Sequence, residues 1–165
     1  VVKRHHERQH FNRRVGCRCC RESRSRKMSA RVEFIGRPAL EALTPAEVRE
    51  QSDDGSQLYK LREPFVCVSE TFGTISVPTF FVSNFASIPK PALWYLDDDA
   101  PEILFGSLVH DYLYAMQGLT PERQYTRKEA DEFLRASMLS CGATRTQAAV
   151  VFSAVRTFGG SHWKS

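Results

Sequence analysis

The chain has few features that would place it in a membrane or on a secretory route. None of its apolar runs approaches the roughly 18 residues that a helix needs to cross a bilayer. Its first residues lack the apolar segment of a signal peptide. Cysteine is scarce after residue 27, where Cys67 and Cys141 both fall in apolar runs. We therefore expect reduced thiols in a cytosol-like compartment, with these two side chains packed in the core.

Several catalytic signatures are also missing. The motifs G-x-S-x-G, G-x-x-x-x-G-K-[ST], G-x-G-x-x-G and H-E-x-x-H do not occur, which argues against the enzyme classes that they mark. Histidine is rare after residue 27, where only His110 and His162 are found. A metal phosphohydrolase that needs several histidines is therefore set aside. A cysteine protease has little support as well, because Cys67 lies far from any motif.

Charge is distributed unevenly along the 165 residues. The formal net charge is +4, but residues 1–27 hold 10 of the 23 Lys and Arg residues and only two of the 19 acidic ones. The remaining residues are therefore mildly acidic. We expect nucleic acid as a partner only through the basic tail.

The tail, residues 1–27, has the composition of a disordered arm. Three interpretations are open for it. Met28 could be the true start of the protein, the tail could be a basic arm that binds nucleic acid, or it could hold zinc. The candidate zinc ligands would be His6, His10, Cys17 and Cys20.

The order of the predicted elements indicates one α+β domain over residues 28–165. Short runs rich in β-branched and aromatic residues predict a small antiparallel β-meander, with candidate strands at 31–35, 57–61, 65–68, 74–77 and 80–82. One helix interrupts it, since Thr44-Pro45-Ala46-Glu47 is a capping box. After Pro91, start and glycine stop signals predict three packed helices, from about 99 to 117, 126 to 142 and 144 to 159.

The first of these three helices carries ionisable side chains at an unexpected place. Residues 103–116 are apolar around nearly the whole circumference, which indicates a buried helix, yet His110 and Asp111 lie in its middle. A buried carboxylate is costly unless it is paired or binds a cation, so these residues need partners. Tyr114 lies one turn after His110 on the same face. Asp131 borders the apolar stripe of the next helix and could reach His110 from there.

A functional interpretation of this group is that one carboxylate orients and polarises the imidazole while the other binds a metal or an arginine. Ser83, Asn84 and Ser87 lie in the loop before the helix, where they could face the group and contact a substrate.

A structural interpretation stays open beside it. The group would then be a polar network that fixes helix packing, with Arg127 or Arg156 capping the carboxylates, and the loop serines and asparagine would only form turns. Phe158 and Trp163 are interpreted as core or edge packing, and His162 as part of an exposed tail.

The sequence H-D-x-x-Y at residues 110–114, followed by A-D-E-F at 130–133, resembles the active-site helices of phospholipase A2, especially the disulfide-poor bacterial and parvoviral types. The resemblance implies that His110 is the general base for an attacking water and Asp111 the calcium ligand, with Tyr114 and Asp131 holding the histidine. It further implies Ca²⁺ or another divalent metal as cofactor and a lipid ester as substrate. That family takes further calcium ligands from a glycine-rich loop, whereas the nearest candidate here, residues 80–89, contains no glycine.

A second resemblance covers more of the chain. The segments V-P-x-F-F-V-S-N-F-A-S-I-P, L-V-H-D-Y-L-Y, T-R-K-E-A-D-E-F and A-V-R-T-F-G-G-x-x-W, which follow one another from Val77 to Trp163, are similar to a phage and prophage family known as domain of unknown function 1353. This resemblance implies a small phage or prophage protein in the host bacterial cytoplasm or in the virion. Its partners would be phage structural proteins, and a non-enzymatic virion, tail-associated or assembly role is the alternative to hydrolysis.

Overall fold

The structure, a computed structural model, describes residues 30–52, 56–85 and 103–164. The expectations for the basic tail, for Ser87 and for the first residues of the helix predicted from about 99 lie outside the described residues. Two small antiparallel sheets and four α-helices form within the described ranges, which confirms the α+β class.

Sheet one consists of β1 (Val32–Ile35), β4 (Phe65–Ser69) and β5 (Gly73–Val77), in the order β1-β4-β5. The strands β4 and β5 form a hairpin in which Ser69 pairs with Gly73, whose φ of 77° suits a glycine. Side chains alternate along β4, so that Phe65 and Cys67 point into the core while Val68 is exposed.

Sheet two consists of β2 (Leu40–Ala42), β3 (Tyr59–Leu61) and β6 (Val82–Ser83), in the order β2-β3-β6. The strands are thus divided between two sheets rather than joined in one continuous meander. Strand β2 was not predicted, because all three of its residues are exposed and give no alternating pattern. Helix α1 (Pro45–Gln51) connects β2 to β3 and begins with the capping box expected at Thr44.

Three longer helices follow: α2 (Ile103–Ala115), α3 (Arg127–Ser140) and α4 (Arg145–Phe158), which continues into a 3-10 turn at Gly159–His162. Capping boxes at Thr126 and Thr144 begin α3 and α4, as predicted. No helix in the described ranges has both the length and the apolar character needed to cross a membrane.

The core lies between sheet one and helices α2 and α3. Its fully buried members include Phe65 and Ile75 from the sheet, Leu108 and Leu113 from α2, and Phe133 from α3. Cys67 belongs to this core, and Cys141 belongs to a second cluster between α3 and α4, so both thiols are buried, as expected.

The turn between α2 and α3 brings these helices together side by side. Gln117 and Gly118 both have left-handed backbone conformations, with φ of 51° and 77°. A side chain at Gly118 would collide with the carbonyl oxygen of Tyr125, since its Cβ would lie 1.9 Å from that atom. Glycine at this position therefore allows the chain to turn back, and this turn places α3 beside His110.

Candidate active site

His110 and Asp131 lie opposite each other in the contact between α2 and α3. The imidazole is 2% exposed and the carboxylate is 0% exposed. The distance from His110 Nε2 to Asp131 Oδ1 is 2.9 Å, which is that of a hydrogen bond. The structure therefore brings together the two residues that the sequence placed on neighbouring helices.

Tyr114 completes this arrangement from the next turn of α2. Its hydroxyl donates to the same oxygen, Asp131 Oδ1, at 2.7 Å. Its ring lies against the imidazole of His110, with 4.3 Å between the ring centroids. Trp163 packs edge-on against the ring of Tyr114, in agreement with the interpretation of Trp163 as a packing residue.

Two arginines balance the charge of Asp131. Arg156 in α4 donates from Nη1 to Asp131 Oδ2 at 2.7 Å. Arg127 lies one turn before Asp131 in α3, with its Nε 3.9 Å from the same oxygen and 3.1 Å from the hydroxyl of Tyr114, to which it donates. Its Nη2 also donates to the main-chain carbonyls of Val155 and Arg156 and so ties α3 to the last turn of α4.

These contacts determine the protonation of the group. Burial alone would raise the pKa of Asp131, but the hydrogen bonds from His110, Tyr114 and Arg156 outweigh it and hold the pKa of this carboxyl below its ordinary value of 3.8. Asp131 is therefore ionised at neutral pH and can only accept hydrogen bonds. The proton in the contact with His110 must then lie on Nε2.

Tyr114 acts as a donor for the same reason. Burial, together with the hydrogen bond to Asp131, raises the pKa of Tyr114 to about 12. The phenol keeps its proton at neutral pH and directs it to Asp131, so the two donors from α2 fix one oxygen of the carboxylate in place.

Asp111 points away from this contact, as expected for the next residue of a helix. It is half-buried, and its Oδ2 accepts a hydrogen bond from the hydroxyl of Ser83. That hydroxyl in turn accepts from the main-chain N–H of Phe85, at 3.0 Å. Phe85 and Phe80, on either side of β6, both have positive φ, at 54° and 69°, so the backbone turns sharply at each end of the strand that carries Ser83.

A cavity of about 600 Å³ lies beside these residues. His110, Asp111 and Tyr114 line it from α2, and Ser83 and Asn84 line it from the end of β6. The remaining walls are partly apolar and include Leu58, Phe81, Val82, Ala154, Val155 and Phe158. Two predicted contact residues, Ser83 and Asn84, are thus on the same cavity as the histidine, while the third, Ser87, lies outside the described residues.

The oxygen atoms around Asp111 are the ones that could hold a divalent metal. Within the described ranges, no group of three or more His, Cys, Asp and Glu side chains is arranged to bind a metal ion. One carboxylate, the hydroxyl of Ser83 and the amide of Asn84 do not amount to the six to eight oxygen ligands of a calcium site. Calcium at Asp111 stays a prediction.

Two residues that line the cavity had been given other roles from the sequence. Phe158 was expected to pack in the core or at an edge, but its side chain is 69% exposed and lines the cavity. His162 is exposed, as expected for the end of the chain, and it also lines the cavity. Neither location could be foreseen, because it depends on how α4 and the 3-10 turn dock on α2. Arg127 and Arg156, which the structural interpretation named as caps for the carboxylates, both contact Asp131.

The fold and the site thus define a small α+β protein in which a buried His-Asp pair borders a cavity. A family model described as "Protein of unknown function (DUF1353)" matches residues 59–155, more than half of the chain. The protein belongs to this family. No curated protein and no solved structure matches the chain.

Proposed function

We propose that this protein is a hydrolase in which His110 activates water for attack on a carboxylic ester, in the manner of phospholipase A2. The observation that carries the proposal is the buried hydrogen bond between His110 Nε2 and the ionised carboxylate of Asp131. The same histidine lines a cavity of about 600 Å³. A histidine whose tautomer is fixed by a carboxylate is the usual form of a general base.

The position of the proton on the His110 ring supports this role. With the proton on Nε2 and directed to Asp131, the lone pair of the neutral ring is on Nδ1. Nδ1 would take a proton from water as the water oxygen forms a bond to the ester carbonyl carbon. The resulting imidazolium is stabilised by the carboxylate of Asp131, and it returns the proton to the alcohol oxygen as the carbon–oxygen bond breaks. Tyr114 and Arg156 hold Asp131 in position through both steps.

A divalent cation enters the proposal only as an ion that Asp111 would bind. When bound there, it would stabilise negative charge on the ester oxygen. Because the described side chains do not complete a calcium shell, no step of the reaction is assigned to it. Comparison of the hydrolysis rate in EDTA with the rate in added calcium shows whether a cation is needed.

The variant His110→Gln tests the proposal. The glutamine amide nitrogen can take the position of Nε2 and still donate to Asp131, while the base Nδ1 is removed. We expect hydrolysis of p-nitrophenyl butyrate, measured with EDTA and with added calcium, to fall by about 10²–10⁴-fold. The melting temperature should stay close to that of the wild type. An inactive wild-type protein under both conditions, together with unfolding of His110→Gln, would contradict the proposal.

A second function is favoured by one specific observation. Asp131 is completely buried and is saturated by three hydrogen bonds and a second arginine, an arrangement that also suits a device for helix packing. The protein would then be a non-enzymatic phage virion, tail-associated or assembly component. Its phage or prophage origin is supported by the order of the motifs between Val77 and Trp163.

Mass spectrometry of purified phage particles tests this second function. The chain should be found in the particles, and Asp111→Asn should lower the free energy of unfolding by roughly 2 kcal/mol, because the half-buried Asp111 loses the charge that accepts the hydrogen bond from Ser83. Particles without the chain would count against a virion role.

A further inference from the structure

The cavity has a buried floor and an exposed rim. Its floor includes His110, Ser83 and Val155, all of which are buried. On the rim are Phe158, the last residue of α4, and His162, the last residue of the 3-10 turn. Both exposed side chains line the same cavity as His110.

The turn that carries the rim is held firmly against α2. Gln117 donates from Nε2 to the main-chain carbonyl of His162 at 3.1 Å and to that of Tyr114 at 2.7 Å. Trp163 packs on the ring of Tyr114. Helix α2 and the turn that follows it therefore position both His110 and the rim.

Gly159 allows the 3-10 turn to lie close to Tyr114. A Cβ atom at Gly159 would lie 2.8 Å from the hydroxyl of Tyr114, which donates to Asp131. The absence of a side chain lets the main chain pass directly over Tyr114. The rim is thus a built part of the site, with one large exposed aromatic ring and one imidazole that can donate or accept a hydrogen bond.

We propose that Phe158 and His162 are specificity-determining residues that contact the substrate. Phe158 packs against an apolar chain of the ester, and His162 forms a hydrogen bond to a polar atom of the same molecule. The cavity suits an ester with a medium-length apolar chain, because Leu58, Val82 and Val155 line it together with Phe158. This inference rests on the proposed hydrolytic function.

Kinetics with p-nitrophenyl acetate, butyrate and hexanoate test it. For Phe158→Ala we expect KM for the hexanoate to rise by about tenfold, with little change for the acetate, since only the longer chain reaches the ring. For His162→Ala we expect KM to rise by about three- to tenfold for all three esters, with kcat retained. A merely structural role would lower kcat and the melting temperature together.

Two matched controls lie outside the cavity. Leu119→Ala removes an apolar side chain that is 61% exposed, and Lys164→Ala removes a polar one from the same C-terminal segment as His162. Neither residue lines the cavity, so both variants should keep the KM of the wild type for each ester. Unchanged KM values in Phe158→Ala and His162→Ala would overturn the inference and leave the hydrolytic function standing.

A binding measurement keeps the inference testable if no ester is turned over. Octanamide, an uncharged analogue of an octanoate ester, is titrated into protein with ¹³C-labelled histidine. We expect the His162 resonance to shift in the wild type and in His110→Gln, and the apparent Kd to rise about tenfold in Phe158→Ala. A shift of the His162 resonance without ester turnover would support binding of the ligand at the rim and contradict the hydrolytic function. No shift of His162 and no turnover would overturn both.

Discussion

Asp131 is fully buried, and yet its carboxylate is ionised because three donors on two other helices are directed at it. Removing one partner from such a group leaves a charge or a polar atom in the interior without compensation. The geometry of His110 therefore depends on Arg156 and Tyr114 as much as on Asp131. The base proposed for hydrolysis and the packing of α2 against α3 use the same hydrogen bonds.

The variant Asp131→Asn should lower the free energy of unfolding by about 2–3 kcal/mol at neutral pH, because His110 and Tyr114 lose their charged acceptor and the partly exposed Arg156 loses its ionic partner. The pKa of Asp131 is held below its ordinary value of 3.8, so its charge stabilises the folded state at pH values above that value. This contribution is lost as pH falls through the lowered pKa of the folded state. Urea unfolding of both proteins at a series of pH values should show a difference that narrows under acidic conditions. A difference that is the same at every pH would contradict this account of Asp131.

Much of the candidate site could be predicted at the scale of single residues. His110 and Tyr114 are related by helical periodicity, and Asp131 borders the apolar stripe of the next helix, so their contact follows from the short connection between the helices. Arg156 was named from the sequence only as an alternative to Arg127. Its contact with Asp131 requires the docking of a third helix, which sequence spacing does not give.

At the scale of elements, the close approach of α2 and α3 depends on small residues. A Cβ atom at Gly106 would lie 2.0 Å from the hydroxyl oxygen of Ser137, so α2 has space for only a hydrogen atom at this position. Ser137 is buried, and its hydroxyl donates to the carbonyl of Leu134, so it cannot move aside without losing that bond.

The variant Gly106→Ala should destabilise the protein by about 1–3 kcal/mol, because overpacking outweighs the roughly 1 kcal/mol that alanine contributes over glycine within a helix. The exchange Gly106→Ala with Ser137→Gly should recover part of this loss, since the added methyl group then occupies the space of the serine side chain. Thermal unfolding of the two variants checks this. If Gly106→Ala alone were more stable than the wild type, the helices would not pack as closely as described.

The helices were easier to predict than the strands for a physical reason. Each capping box satisfies main-chain donors locally, so Thr126 and Thr144 mark their helices without reference to the rest of the fold. Strands depend on partners that are distant in sequence. The three exposed residues of β2 pair with β3 although their own sequence has no strand pattern, and the division of the strands into two sheets is settled by such long-range pairing.

At the scale of the whole molecule, two buried clusters share helix α3. One lies between sheet one and α2, and the other lies between α3 and α4. Cys67 is in the first cluster and Cys141 in the second, so their thiols report on these two clusters separately.

The thiols of Cys67 and Cys141 should react with iodoacetamide only when the protein opens. Burial raises the pKa of the Cys67 thiol to about 12, so little thiolate is present at neutral pH, and both sulfur atoms are shielded from the reagent. Mass spectrometry of the two peptides after timed labelling should show slow reaction in buffer and fast reaction in guanidinium chloride. Equal rates in the two solvents would mean that the clusters are not closed.

The central claim is that Asp131 fixes the proton of His110 on Nε2, and ¹H–¹⁵N spectra of the histidine side chains test it most directly. The account predicts a single tautomer of His110 at neutral pH, with a slowly exchanging proton on Nε2 and none on Nδ1. A proton on Nδ1, or a ring that averages between tautomers as it would in water, would contradict it.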